Sequence, residues 1–182
     1  MVKRTSHKQA SCPVARPLDV IGDGWSMLIV RDAFEGLTRF GEFQKSLGLA
    51  KNILAARLRN LVEHGVMVAV PAESGSHQEY RLTDKGRALF PLLVAIRQWG
   101  EDYFFAPDES HVRLVERDSG QPVPRLQVRA GDGSPLAAED TRAAGTDRRT
   151  NRLPSASVRT LPKRRITAGG YPPYRTQATL AR

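Results

Sequence analysis

Cysteine occurs once in these 182 residues, as Cys12. One thiol closes no internal disulfide and makes no zinc site alone. Stability must therefore come from apolar burial, and a reducing, cytoplasmic setting is expected. Long apolar runs are also missing. The longest, Phe90 to Ile96, is cut by Pro91 and falls well short of the ~18–20 residues of a membrane span; no membrane partner is expected. The opening MVKRTSHKQASCP is basic but has no apolar stretch behind it, unlike a secretion signal. Catalytic constellations are absent too. His7, His64, His77 and His111 are scattered, with no paired carboxylates, glycine-rich phosphate loop or nucleophile motif beside them. No enzymatic activity, cofactor or metal is expected.

Acids are scarce in one region. Between Thr141 and Arg182 lie ten of the 28 Lys and Arg but a single acid, Asp147, so residues 1–140 balance at 18 of each sign. The net charge of +9 therefore belongs to the tail. The high isoelectric point is weak support for nucleic-acid binding, because the neutral part must bind through local patches.

What is present is one contiguous block from Trp25 to Trp99. A short helix precedes it, Pro13 to Ile21, with Val14, Leu18 and Ile21 on one face and a regular start near Pro17. Helices are then expected over Trp25 to Phe34, ended by Gly36, and over Gly41 to Leu47, anchored by Phe40 and Phe43. A turn at Gly48 leads to a fourth helix, Lys51 to His64, ended by Gly65. VMVAV (66–70) and EYRLT (79–83) read as paired strands around a polar tip. Thr83 or Asp84 caps one last helix, running to about Phe104. Helix, helix, helix, hairpin, helix is the plan of a winged helix-turn-helix. The expected fold is mainly α with a small β-hairpin, plus a short β-rich C-terminal extension and a disordered basic tail. The expected divisions are an N-terminal disordered arm (1–11), the winged domain (12–106), the extension (107–140, with turns at Asp118-Ser119-Gly120 and Gly131-Asp132-Gly133) and the tail (141–182).

The fourth helix carries the candidate chemistry. Leu54, Leu58 and Leu61 recur at i, i+4 and i+7 and must face inward. Asn52, Ala55, Ala56 and Arg59 then point away, with Lys51 at the N-terminal end. Asn pairs bidentately with adenine and Arg with guanine; small alanines let the helix approach a groove wall. Arg57 lies nearer the leucines, so a phosphate or an internal acid is its destination. His77 and Gln78 at the wing tip, Arg81 on the second strand and Arg39 at the entry to the third helix complete the candidate DNA-binding set. The competing reading is a winged-helix protein-interaction module without sequence-specific DNA binding. On the last helix, Leu89, Leu93, Ile96, Trp99 and Tyr103 form a stripe longer than a small domain needs internally, a candidate dimer interface.

Three stretches, CPVARPLDVIGDGWSMLIVRDAFEG, TRFGEFQKSLGLAKNILAARLRNLVEHGVM and EYRLTDKGRALFPLLVAIRQWG, resemble the HxlR-type (MarR-like) winged helix-turn-helix bacterial transcriptional regulators. The resemblance covers about Cys12 to Gly100. Its main anchors are Cys-Pro before the first helix, Trp25, and YRLTDKG leaving the wing. It implies a homodimeric repressor or activator on an inverted-repeat operator, repression being the sense adopted, with double-stranded DNA and a second copy of the chain as partners, an effector not identified, and dimerisation through the first and last helices. Two departures stand out: Pro17, where most relatives continue the helix, and Gly24, where many carry Lys. Some relatives carry cysteine pairs in the region of 112–140 that suggest a zinc ribbon; Ser119 stands at one such place, and zinc is rejected here. Some relatives sense oxidants through a cysteine at the Cys12 position. A thiol at a helix start has its thiolate favoured by the helix dipole and by nearby Arg16; the alternative is a buried structural thiol.

Overall fold

The computed structural model describes residues 6–144 other than 74 and 76. The first five residues of the arm, Ser74 and Ser76 of the hairpin tip, and the tail from 145 onward lie outside the described residues. The chain divides between Leu93 and Val94 into two compact units.

The first unit holds the winged helix-turn-helix. Helices α1 (Ala15–Ile21), α2 (Ser26–Phe34), α3 (Phe40–Leu47) and α4 (Lys51–Glu63) precede strands β1 (Met67–Pro71) and β2 (Gln78–Leu82). The core is what the helical spacing demands. Leu54, Leu58 and Leu61 of α4 are fully buried with Ile29 and Val30 of α2, Phe43 of α3 and Met67 of β1. Each such side chain contributes about 1.5–3 kcal/mol by leaving water. Gly48 ends α3 at φ 63°, a left-handed conformation that suits glycine, and so sets the turn into α4.

The first helix differs from expectation. It starts at Ala15, placing Pro17 in its first turn; Ile21 is buried in the core and Val20 packs against it, while Val14 and Leu18 are exposed. Residues 6–11 are not the free arm expected. The Ser6 hydroxyl (3.0 Å) and the His7 amide (2.6 Å) donate to the Asp19 carboxylate, and the Ala10 amide closes a turn onto the His7 carbonyl.

Each strand lies one residue off its expected span. The pairing runs from Met67 with Leu82 to Pro71 with Gln78. Thr83 leaves β2 because its groups are needed elsewhere. Its hydroxyl accepts from the Gly86 amide (3.1 Å), capping helix α5 (Asp84–Arg87), and donates to the Gly65 carbonyl (2.6 Å). Its amide donates to the Val66 carbonyl (3.2 Å), and Lys85 Nζ donates to the His64 carbonyl (2.7 Å). The His64, Gly65 and Val66 carbonyls, in the link that follows α4, are thus satisfied by the TDKG segment. Gly86 lies so close that a Cβ there would sit 2.2 Å from the Val66 oxygen.

The single last helix of the sequence reading is two. After α5 the chain turns at Ala88 and Leu89, and α6 (Phe90–Tyr103) begins. Pro91 is the cause: it lacks an N–H, and its ring would strike the carbonyl four residues back in a continuous helix. In the first turn of α6 that cost disappears.

The second unit begins at Val94 and contains the rest of α6 and residues to 144. The expected strands are absent among its described residues. Two hairpin-like loops are each closed by one bridge, Val115 with Pro122 and Arg129 with Pro135. Their turns lie where expected, with Gly120 and Gly133 at positive φ. Prolines 122, 124 and 135 remove the amide donors that longer ladders need. A short 3-10 turn, Ala138–Asp140, follows.

Replacing Gly86 with Ala should lower stability by about 1–3 kcal/mol, the usual cost of overfilling a packed contact. A urea melt of the variant against wild type measures this.

Candidate nucleic-acid interface

Helix α4 is one-sided. At about 100° per residue, Asn52, Ala56 and Arg59 fall within about 60° of one another, opposite the buried Leu54, Leu58 and Leu61. All three are exposed, as are Lys51 and Ile53, while Ala55 sits half-buried at the edge. Ile53 was missed in the sequence reading. It breaks the polar pattern, yet at 39% exposure it stands beside Asn52 as an apolar group suited to a thymine methyl.

The helix is anchored from behind by Asp23. Asp23 Oδ1 accepts from the Trp25 and Ser26 amides (2.9 and 3.0 Å), and Oδ2 accepts from the Ser26 hydroxyl. This fastens the start of α2. The same carboxylate lies 3.3 Å from Arg57 Nε, an ion pair whose angle does not meet hydrogen-bond geometry. Of the two destinations open to Arg57, the internal acid is occupied. Asn60 adds a second tie, donating to the Val20 carbonyl (3.0 Å). Burial works to raise the Asp23 pKa, but the Ser26 hydroxyl, the two amides and Arg57 outweigh it and hold the carboxyl below its ordinary value.

Arg39 and Arg81 meet at one acid. Arg81 NH2 is 2.8 Å from Glu79 and Arg39 Nε 4.0 Å, with both arginines more than half exposed and Glu79 mostly covered. The cluster forms because the link before α3 pairs with the wing. Tyr80 donates its amide to the Thr38 carbonyl (2.8 Å), and Arg39 bridges Glu79. Glu42 fixes that link, accepting from the Thr38 and Arg39 amides (2.9 and 2.8 Å). These bonds, from Arg39 first and Thr38 second, lower its pKa. Sequence reading missed Glu79, although Glu79 and Arg81 stand two apart on a strand and so share a face. His77 and Gln78 are exposed at the wing.

The stripe on the last helix divides. Leu89 is packed against the core, and Leu93 is half-buried. Leu92, Ile96 and Trp99 are exposed, Trp99 at 57%, with Tyr103 half-buried beside Trp99 at a ring separation of 6.0 Å. These four lie within about 60° on the helix, so Leu92 takes the outward place assigned to Leu89. Cys12 is half-buried and lies outside the short α1. Arg16, expected to support its thiolate, donates its Nε to the Ala10 carbonyl instead.

The arrangement matches known proteins. A family model described as HxlR-like helix-turn-helix matches residues 20–108. An uncharacterised HTH-type transcriptional regulator of Mycobacterium tuberculosis, Rv3095, is 39% identical over 127 residues, covering 69% of this chain and 80% of that protein. This chain belongs to the HxlR-like helix-turn-helix family. Among solved structures, PA1607, described as a candidate transcription factor, is 98% identical, with a TM-score of 0.75, over 77% of this chain and 99% of that one. PA1374 from Pseudomonas aeruginosa, described in the same way, is 37% identical, with a TM-score of 0.54, over 81% of this chain and 96% of that one. As an HxlR-type protein it is a transcriptional regulator with a helix-turn-helix DNA-binding domain. Among the described residues no helix is long and apolar enough to cross a membrane.

Two outcomes follow for the anchoring acids. The Asp23 carboxylate, depressed below 3.8, contributes its full share above that pH and loses it as pH falls through the folded-state value. Asp23→Asn should therefore be less stable than wild type at pH 7, with the gap narrowing towards pH 3, as followed by urea midpoints. Glu79→Gln should release Arg39 and Arg81, raising affinity for any duplex and steepening its salt dependence, measured by fluorescence anisotropy across a salt series.

Proposed function

We propose that this regulator is a homodimeric repressor that binds an inverted-repeat operator with α4 in the major groove. The observation that carries the reading is the one-sidedness of α4: three leucines fully buried and Asn52, Ala56 and Arg59 exposed on the opposite side. Asn52 and Arg59 stand about two turns apart, a spacing that lets both meet base edges along a groove. Lys51 at the start of α4, and Arg39 and Arg81 beside Glu79, are assigned to phosphates. His77 and Gln78 of the wing reach the adjacent backbone or minor groove. Arg57 supports α4 through Asp23 and acts on DNA only by holding that helix. Repression requires only that the bound protein occupy its site.

The homodimer is supported by the face that carries the exposed Leu92, Ile96 and Trp99 with the half-buried Tyr103 beside them. Leaving such a row in water forgoes about 25 cal/mol for every Å2 of apolar surface a partner could cover. A two-fold dimer reads the same half-site twice in opposite orientation, about 10 base pairs or a multiple apart. The tail from Thr141, with ten basic residues against one acid, adds sequence-independent affinity.

Asn52→Ala and Arg59→Ala should each cost about 1–3 kcal/mol on the operator and relax preference at one position of each half-site. Lys51→Ala should weaken operator and scrambled duplex alike. Equal losses on both duplexes for Asn52→Ala and Arg59→Ala would mean that α4 positions the protein without reading bases. Trp99→Glu places a charge in the apolar row and should yield monomers with weakened operator binding. A wild type already monomeric by sedimentation at micromolar concentration would overturn the dimer.

A further inference from the structure

A cavity of about 520 Å3 lies within the first unit, among the N-terminal arm, α1, the end of α4 and the start of α5. Its size falls in the range of small-molecule sites, about 300–1,000 Å3. Pro17, Val20, Ile21, Val66 and Leu89 give it an apolar lining, and Lys8, Arg16, His64 and Lys85 stand around them. One acid, Asp19, shares the wall, and it is already engaged by the Ser6 hydroxyl and the His7 amide. We propose that this cavity binds a small organic carboxylate with an apolar body, its hydrocarbon on the Val20, Ile21, Val66 and Leu89 lining and its carboxylate among Lys8, Arg16 and Lys85.

The chemistry selects that class. An apolar lining rewards a hydrocarbon body, and a fully hydrophilic anion such as phosphate gains nothing from it. Three cations around an apolar floor favour a ligand with one negative end, because charge-assisted hydrogen bonds are about twice as strong as neutral ones. Arg16 donates one N–H, Nε, to the Ala10 carbonyl, and a guanidinium carries five donors in all. Lys85 spends one donor on the His64 carbonyl, and an ammonium carries three. The arm that brings Lys8 to the cavity is held down by Asp19, so the lining on this side is preformed. The seat is at the C-terminal end of α4, where Lys85 and Val66 join that helix to α5. A bound carboxylate would engage the same Lys85 that satisfies the end of α4. The site itself stands or falls apart from any reading of bases by α4.

Calorimetry on the full chain without DNA tests it, with 2-naphthoate as probe, 2-naphthamide as its neutral isostere and acetate as the headgroup alone. Saturable binding of naphthoate is expected, at least about tenfold tighter than the amide, the ratio that one charge-assisted hydrogen bond carries, with acetate showing none. Arg16→Gln should erase the preference for the acid while leaving the melting transition intact. Lys85→Gln should do the same, and Arg16→Gln decides if the loss of the α4 tie unfolds that second variant. Equal affinity for acid and amide, no binding of naphthoate at about 1 mM, or full retention of the preference in Arg16→Gln would overturn the proposal.

Discussion

The link that leaves helix α4, His64 to Val66, presents three carbonyls, and the segment after the wing supplies their donors. Thr83 serves Gly65 and Val66, Lys85 serves His64, and Gly86 lets the backbone approach Val66 where any side chain would collide. The rest of the domain depends on this joint. It fixes where the hairpin returns, since Thr83 closes β2 by leaving it. It also sets the direction in which α5 departs. A chain that failed to return here would leave the His64, Gly65 and Val66 carbonyls without these donors.

The surface proposed to meet DNA is held by acids at its back. Asp23 fastens α2 and faces Arg57 of α4; Glu42 fixes the link before α3; Glu79 gathers Arg39 and Arg81. These carboxylates balance the cations locally, in keeping with a region whose charges cancel from residue 1 to 140. Binding through such a surface relies on placement, not on a large field. In the proposed complex, phosphate oxygens would take over from Glu79 as partners of the two arginines, and Glu79 would then act as a brake on non-specific association.

The parts of the fold written in periodic burial were legible from sequence. The i, i+4, i+7 leucines of α4 are buried together because only one face of a helix can reach the core, and that also assigned the outward face. Thr83 was one of two expected caps, and its hydroxyl geometry decides between them. What escaped depended on contacts between distant segments. The pairing of Thr38 with Tyr80, and the Arg39–Glu79–Arg81 cluster it creates, has no local pattern that announces it. The break between α5 and α6 was signalled by Pro91, but a proline permitted in a first turn looks the same in sequence as one that kinks a helix. The 107–140 extension carried turn signals that the structure honours and a β-rich expectation that it meets only with single bridges, because prolines removed the donors. On α6, Leu89 turns to the core and Leu92 faces out, a difference of register that the apolar spacing alone did not show.

The central claim is that the outer face of α4, doubled by a two-fold axis, reads DNA sequence. Selection of bound duplexes from a randomised pool by the full-length protein tests it most directly. The account predicts enrichment of two matching half-sites in inverted orientation, their centres about 10 base pairs or a multiple of that apart, with base preferences lost position by position in Asn52→Ala and Arg59→Ala. Retention of duplexes with no shared sequence, or enrichment of a single unrepeated site whose preferences both variants keep, would contradict it.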